Sequence, residues 1–287
     1  MQRSSPKRYE VSWRTDTGAE GTASKALQEQ KRCAITHHSD AAAEFVARYE
    51  RLAVDPYGSC FGYSRYRLQS VLDLCLPEDG RGLRALDVGC GTGHHLADLR
   101  RKGFEVAGVD GSPEMVARAR AHNQGVPIEC ADVEALPFSS GRFDLVLCIE
   151  VLRYLRDPAG CLREIARVMR PGGVCLATAT PLLNLNGYWL VNRIASGVGL
   201  PGLTRLRQFF HTSRQLRRRF KAAGFGPTRV HGVYLGPVNW VERFTPRLLP
   251  GVLRKWEWLD TALADRPVLR ELSNMFLVRA VREATRE

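Results

Sequence analysis

The segment ALDVGCGTGHHL, residues 85–96, passes from an apolar run into three glycines separated by single residues. An apolar run that ends in glycines and leads into an amphipathic stretch reads as a strand, a tight turn and a helix start. Gly89, Gly91 and Gly93 leave backbone N–H groups on the bend with no Cβ in the way, so a ligand can approach the main chain closely. The dinucleotide fingerprint is G-x-G-x-x-G, and here the third glycine arrives one residue early. A P-loop is excluded, because no Gly-Lys-Ser/Thr follows. Asp87, two residues before the first glycine, repels a pyrophosphate and suits a ligand carrying ammonium and sulfonium charge.

After this turn, short apolar runs alternate with amphipathic stretches, the pattern of strand and helix units in a mostly parallel sheet. Strands are predicted at LRALDVG (83–89), FEVAGVD (104–110), PIECAD (127–132), FDLVLCIE (143–150), GGVCLATAT (172–180), TRVHGVYLG (228–236) and NMFLVRAV (274–281). Helices are predicted at HHLADLRRKG, SPEMVARARAHN and DPAGCLREIARVMRPGG. Two strand-end acids extend the ligand reading. Asp110 is placed to accept hydrogen bonds from ribose hydroxyls, and Asp132 to receive the amino group of an adenine.

Residues 1–38 are polar and lack sustained periodicity, so they read as a poorly ordered leader. A single domain is expected over 39–287: N-terminal helices at 39–82, a cofactor-binding core at 83–181, and substrate-side inserts at 182–211 and 236–272. The first helix begins with Ser39 or Asp40 as N-cap and carries Phe45, Val46, Tyr49 and Leu52 on one stripe. The second, YSRYRLQSVLDLCL, is stopped by Pro77.

At 44% hydrophobic and 25% charged, the 287 residues can bury a sizeable core. No run approaches the ~18 apolar residues of a membrane span, and MQRSSPKRYE has no apolar signal-peptide core, so the expected location is the cytoplasm, with peripheral membrane contact open. The eight cysteines form no C-x-x-C pair and several lie in apolar runs, which favours buried thiols over disulfides or a metal site. The net charge of +12 peaks in SRQLRRRFKAAGF. There Leu216, Phe220 and Ala223 share one helical face, so the arginines read as a solvated outer face and nucleic acid is disfavoured.

Together, ALDVGCGTG, VAGVDGSPEMV, ADVEALPF, FDLVLCIEVLRYLRDP and IARVMRPGGVCLATATP resemble a class I S-adenosylmethionine-dependent methyltransferase of the small-molecule, ubiquinone-pathway type, over roughly residues 83–181. The resemblance implies an α/β, Rossmann-like sheet of seven mostly parallel strands with the last antiparallel, helices on both faces and helical lid inserts. It also implies S-adenosyl-L-methionine as cofactor. Asp87, Gly89, Gly91 and Gly93 would surround its methionine end, and Asp110 its ribose. Ser112 or Met115 would border the adenine, Asp132 and Val133 hold its edge, and Ile149 and Glu150 stand beside the sulfonium.

Methyl transfer is an in-line displacement that needs alignment and, for a hydroxyl acceptor, removal of a proton. CIEVLRYLRDP resembles the EVLEH segment of ubiquinone-pathway O-methyltransferases, with Arg153 and Tyr154 in place of its second Glu and its His. Tyr154 and His211 are the candidate catalytic residues. His94 and His95 flank the cofactor turn, and His37 and His38 would cover the site if the N-terminal segment folded over it; Tyr57, Tyr63 and Tyr66 share that lid reading. Trp189, Trp240, Trp256 and Trp258 fall in the inserts, which points to an acceptor with an apolar part, lipid-linked and natural-product acceptors included. O-methylation is the expected reaction. RNA or protein methylation and a non-catalytic cofactor-binding partner subunit are the alternatives.

Overall fold

In the computed structural model, which describes residues 21–190, 192, 207–236 and 238–284, apolar runs become strands where flanking amphipathic segments can cover them. The strands are β1 (Arg84–Val88), β2 (Glu105–Asp110), β3 (Ile128–Cys130), β4 (Phe143–Cys148), β5 (Met169–Pro181), β6 (Phe210–His211), β7 (Phe225–Gly232) and β8 (Phe276–Arg282). Seven of them form one sheet in the order β3-β2-β1-β4-β5-β8-β7, and the two-residue β6 pairs with β5 as an eighth. β1 to β5 are mutually parallel, while β8 runs antiparallel to both β5 and β7. This is the expected Rossmann-like sheet with its last strand reversed. The expectation missed only β6, which is too short to carry a period.

Parallel strands must be covered on both faces, and two apolar clusters do so. Against one face, Ile165 and Leu162 of α5 (Ala159–Val168) and Leu216 and Phe220 of α6 (Ser213–Ala222) meet Val146, Val88 and Val278. Against the other, Tyr63, Leu68 and Leu72 of α2 (Cys60–Cys75) and Leu249 and Leu253 of α8 (Leu249–Leu263) meet Ala85, Leu147 and Leu277. Helix α6 starts with a capping box between Thr212 and Gln215, buries Leu216 and Phe220, and exposes Arg214, Arg217 and Arg218. The basic run is therefore the outer face of a packed helix. Cys148, Cys161 and Cys175 are buried as free thiols.

The N-terminal region departs from expectation. Helix α1 spans Gly21–Val54, so the segment up to 38, read as a leader, is helical from 21 onward; residues 1–20 lie outside the described residues. Ser39 is not an N-cap, because its hydroxyl lies 2.7 Å from the Ser112 hydroxyl, a tertiary bond that leaves it inside the helix. The weak periodicity has a physical cause: α1 lies along the C-terminal edge of the sheet and buries small residues, Ala34 and Ala42, rather than a broad apolar stripe.

The second insert folds as α7 (Val238–Phe244) and α8. Tyr57 and Tyr66 donate to Glu257 at 2.6 and 2.7 Å, and Tyr63 donates to Asp260 at 2.6 Å. These tyrosines lock α8 onto α2 and the segment before it instead of forming a lid. In the first insert Trp189 is partly exposed, while most of the rest, residues 191 and 193–206, lies outside the described residues, as does the side chain of Trp240.

Candidate active site

The strand order reverses at β1: β2 and β3 lie to one side and β4 to the other, so a crevice opens at the carboxyl ends of β1, β2 and β4. Register brings Val88 level with Val109 and Asp87 level with Leu147, which delivers Gly89, Asp110 and Ile149 to one edge. A cavity of about 220 Å³ fills this crevice.

The glycine turn bends around the cavity as the sequence predicts. Gly91 has φ +53°, and nothing lies within 4 Å of where its Cβ would stand, so its backbone faces open space in the wall. Gly93, at φ +84°, is the N-cap of α3 (His94–Arg101); a Cβ there would strike Asn123 and Ala119. Asp110 braces the turn by accepting from Gly91 N–H at 2.9 Å and from Ser112 N–H at 2.8 Å. Its burial pushes the pKa up while these two bonds oppose it.

Gly89, Gly91, Asp110, Met115, Asp132, Val133, Ile149, Glu150 and Tyr154 all line the cavity. Asp87, Gly93 and Ser112 do not. Ser112 is the N-cap of α4 (Pro113–His122), accepting from Met115 N–H, so it holds the helix that carries Met115 to the wall. Asp87 lies beneath the turn, 1% exposed, with neither carboxylate oxygen partnered. Burial, with Asp110 beside it, pushes its pKa up to about 8.

His211 is not in the wall. It is buried in β6 opposite Pro181, and burial followed by Arg219 lowers its pKa to about 4. The imidazoles that do line the cavity are His38, His94 and His95. Burial pushes His94 to about 4, and burial with Arg65 pushes His95 to about 3. Burial also lowers His38, but the Ala34 carbonyl and Asp110 work against it. The His38 Nδ1 lies 2.7 Å from the Ala34 carbonyl, so Nδ1 carries the hydrogen and Nε2 keeps the lone pair. The ring stands edge-on to Tyr154, with centroids 5.0 Å apart.

Glu150 is the only non-glycine residue with positive φ, +62°, among the described residues. The turn is fixed by its N–H donating to Thr178 Oγ1 at 2.7 Å, and a strained backbone retained at a cavity wall points to a functional position. Burial works to raise the Glu150 carboxyl, but Arg153 and Arg65 overcome it and hold the pKa at about 2.

Sequence reasoning missed Lys31, Ile35, Phe61 and Arg65, all of which line the cavity. They come from α1 and α2, and their only signal is position on a helix face whose docking is set by tertiary contacts. Lys31 pairs with Asp132 at 3.1 Å and with Glu134. Phe45, Tyr49 and Phe61 give the cavity an aromatic wall.

Comparisons with known proteins agree with this arrangement. A methyltransferase-domain family matches residues 86–177. A ubiquinone biosynthesis O-methyltransferase of Cereibacter sphaeroides is 32% identical over 176 residues, covering 58% of this chain and 70% of that protein. One from a Methylobacterium species is 30% identical over 218 residues, covering 69% of this chain and 87% of the relative. Among solved structures, magnesium protoporphyrin IX methyltransferase of Synechocystis with bound SAH superposes with a TM-score of 0.57 at 18% identity, covering 88% of this chain and 100% of that one.

Proposed function

This chain belongs to the class I S-adenosylmethionine-dependent methyltransferases, and on that premise we propose that it methylates an oxygen of a small or medium organic acceptor with a substantial apolar part. The chain's own residues fit the cofactor. The unpartnered, buried Asp87 carboxyl beneath a glycine turn is an environment that a cationic ligand stabilises, and Asp110 and Asp132 supply acceptors along the same wall. When bound, the cofactor supplies an electrophilic methyl group on a positively charged sulfur.

In this reading Gly89 and Gly91 admit the methionine end, Asp110 holds the ribose, and Met115, Asp132 and Val133 frame the adenine. Ile149 and Glu150 face the reacting end. Phe45, Tyr49 and Phe61 exclude water and seat the apolar part of the acceptor. His38 takes the acceptor proton at Nε2, because His94 and His95 are too weakly basic at neutral pH. Tyr154, packed against His38, helps to orient it.

The observation that carries the proposal is the aromatic wall of Phe45, Tyr49 and Phe61 in the same cavity as Glu150 and the glycine turn. The relatives' activity, O-methylation in ubiquinone biosynthesis, supports oxygen as the acceptor atom. The test is transfer of labelled methyl from S-adenosylmethionine to apolar phenols and catechols, with mass spectrometry of the product. O-methyl products are expected, and methyl found only on nitrogen or carbon contradicts the proposal.

No helix among the described residues is long and apolar enough to cross a membrane. The segment 244–258 nonetheless exposes Leu248 and Trp258 together with Arg247, Arg254 and Lys255, which supports seating on an anionic lipid surface. Co-sedimentation with phosphatidylglycerol vesicles, lost in Trp258→Ser, is the expected result.

A further inference from the structure

Resting on the reading above, we propose that Arg153 is a positioning residue: its guanidinium joins Glu150, on the cavity wall, to Gln208 in the substrate-side insert 182–211 of that reading, so that a bound cofactor fixes the place of the acceptor. Arg153 stands where this sequence departs from the EVLEH segment. It does not line the cavity, whereas Glu150 and Tyr154, on either side of it in sequence, do.

The guanidinium faces two ways. Its Nη1 donates to the Glu150 carboxylate, while Nε, at 3.0 Å, and Nη2 donate to Gln208 Oε1. Gln208 is buried; its Nε2 donates to the Tyr188 hydroxyl at 3.1 Å and its N–H to Asn192 Oδ1 at 3.2 Å. The main chain doubles the link, because Phe209 N–H donates to the Arg153 carbonyl at 2.8 Å. The rings of Tyr154 and Tyr188 have their centroids 5.7 and 5.8 Å from the guanidinium carbon, one ring from the wall and one from the insert. A planar fork with five N–H donors can serve a carboxylate and an amide oxygen together, whereas a lysine ammonium is a single point of charge.

The other end of the link is the glycine turn. Val151 packs on Gly89 so closely that a Cβ on the glycine would strike it, and Glu150 holds its left-handed backbone by donating to Thr178 Oγ1. A ligand seated against Gly89, Ile149 and Glu150 leaves the segment 149–154 little freedom, and Arg153 passes that restraint to Gln208. Glu150 also pairs with Arg65 from α2 at 3.4 Å. Loss of Arg153 therefore leaves the carboxylate a cation and removes its tie to the insert, and the buried Gln208 Oε1 forfeits the donors that hold it.

The test is amide exchange of the full chain with and without saturating S-adenosylhomocysteine, beside methyl transfer to catechol. In the wild type the ligand is expected to slow exchange at residues 207–211 by about tenfold or more. Arg153→Gln and Gln208→Leu are each expected to bind S-adenosylhomocysteine within about threefold of the wild type and to lose that protection. Both should lower kcat/KM for catechol by about tenfold or more while KM for S-adenosylmethionine stays within about threefold. The double variant is expected to match either single one, because both cut the same link. Gln208→Glu, which keeps an acceptor oxygen facing the guanidinium, is expected to retain the protection. Absence of protection in the wild type overturns the proposal without recourse to any variant. Protection that survives in Arg153→Gln, or additive losses in the double variant, overturns it as well. Loss of S-adenosylhomocysteine affinity in Arg153→Gln places the guanidinium in the cofactor site and overturns it equally. Failure of the wild type to bind S-adenosylhomocysteine overturns the methyltransferase reading and this proposal with it. Protection that depends on Arg153 without any transfer to catechol upholds the link and overturns the O-methylation reading alone, so the failures are distinguishable.

Discussion

Lys31 on α1 lies 3.1 Å from the Asp132 carboxylate just past β3, the acid that the family resemblance assigns to the adenine amino group. The contact ties the N-terminal helix to the cofactor wall, reinforced by the hydrogen bond from Gln30 to the Tyr154 carbonyl and by the Ser39–Ser112 pair. Helix α1 therefore lines the cavity, and in the proposed reading its docking and cofactor occupancy share the same carboxylate.

Lys31→Met is expected to loosen α1 by removing the cation that faces Asp132 and Glu134. Truncating one partner of a part-buried charge pair acts chiefly on dissociation, so S-adenosylhomocysteine should leave about three- to tenfold faster. Stopped-flow displacement measures the rate, and hydrogen exchange over residues 28–40 should rise in parallel. Unchanged release with unchanged exchange contradicts the role given to this pair.

Asp87 makes stability depend on pH. Its folded pKa of about 8 exceeds the unfolded value of about 3.9. Between these values the folded protein holds a proton that the unfolded chain has lost. The stabilisation is complete below about pH 4 and is lost as pH rises toward 8, at about 1.4 kcal/mol per unit of separation. Asp87→Asn should flatten this decline in denaturant unfolding of the free protein. Identical pH slopes in the two proteins rule out a protonated Asp87.

His38 as proton acceptor predicts a rate limb. With its pKa below the ordinary 6.5, kcat/KM should rise with pH through the acid range and level off near neutrality, because only the neutral imidazole accepts the proton. His38→Gln should lower kcat by about a hundredfold or more and erase the limb, with S-adenosylhomocysteine affinity little changed. A limb that survives the substitution belongs to another group.

The central sheet was legible because its strands are short apolar runs covered on both faces, and the three strand-end acids stand where the register of β1, β2 and β3 puts them. The turn at 89–93 was legible for a local reason, its positive-φ glycines. Helix α1 was not, because its apolar surface is narrow and its partners, Asp132, Tyr154 and Ser112, are more than seventy residues away in sequence. The same distance hid Arg65, whose meaning depends on Glu150 and Arg153. His211 drew attention as an imidazole at the start of a helix, but β6 turns it into the packed interior beside β5, where no reading of local sequence places it.

Calorimetric titration with S-adenosylhomocysteine, with NADH as control ligand and Asp110→Asn as control protein, tests the cofactor assignment of the 85–96 turn most directly. The wild type is expected to bind at micromolar concentration and to ignore NADH. Asp110→Asn, which removes the charge that braces Gly91 and Ser112, should bind about thirtyfold or more weakly. Binding of NADH, or S-adenosylhomocysteine affinity indifferent to Asp110, would contradict the account.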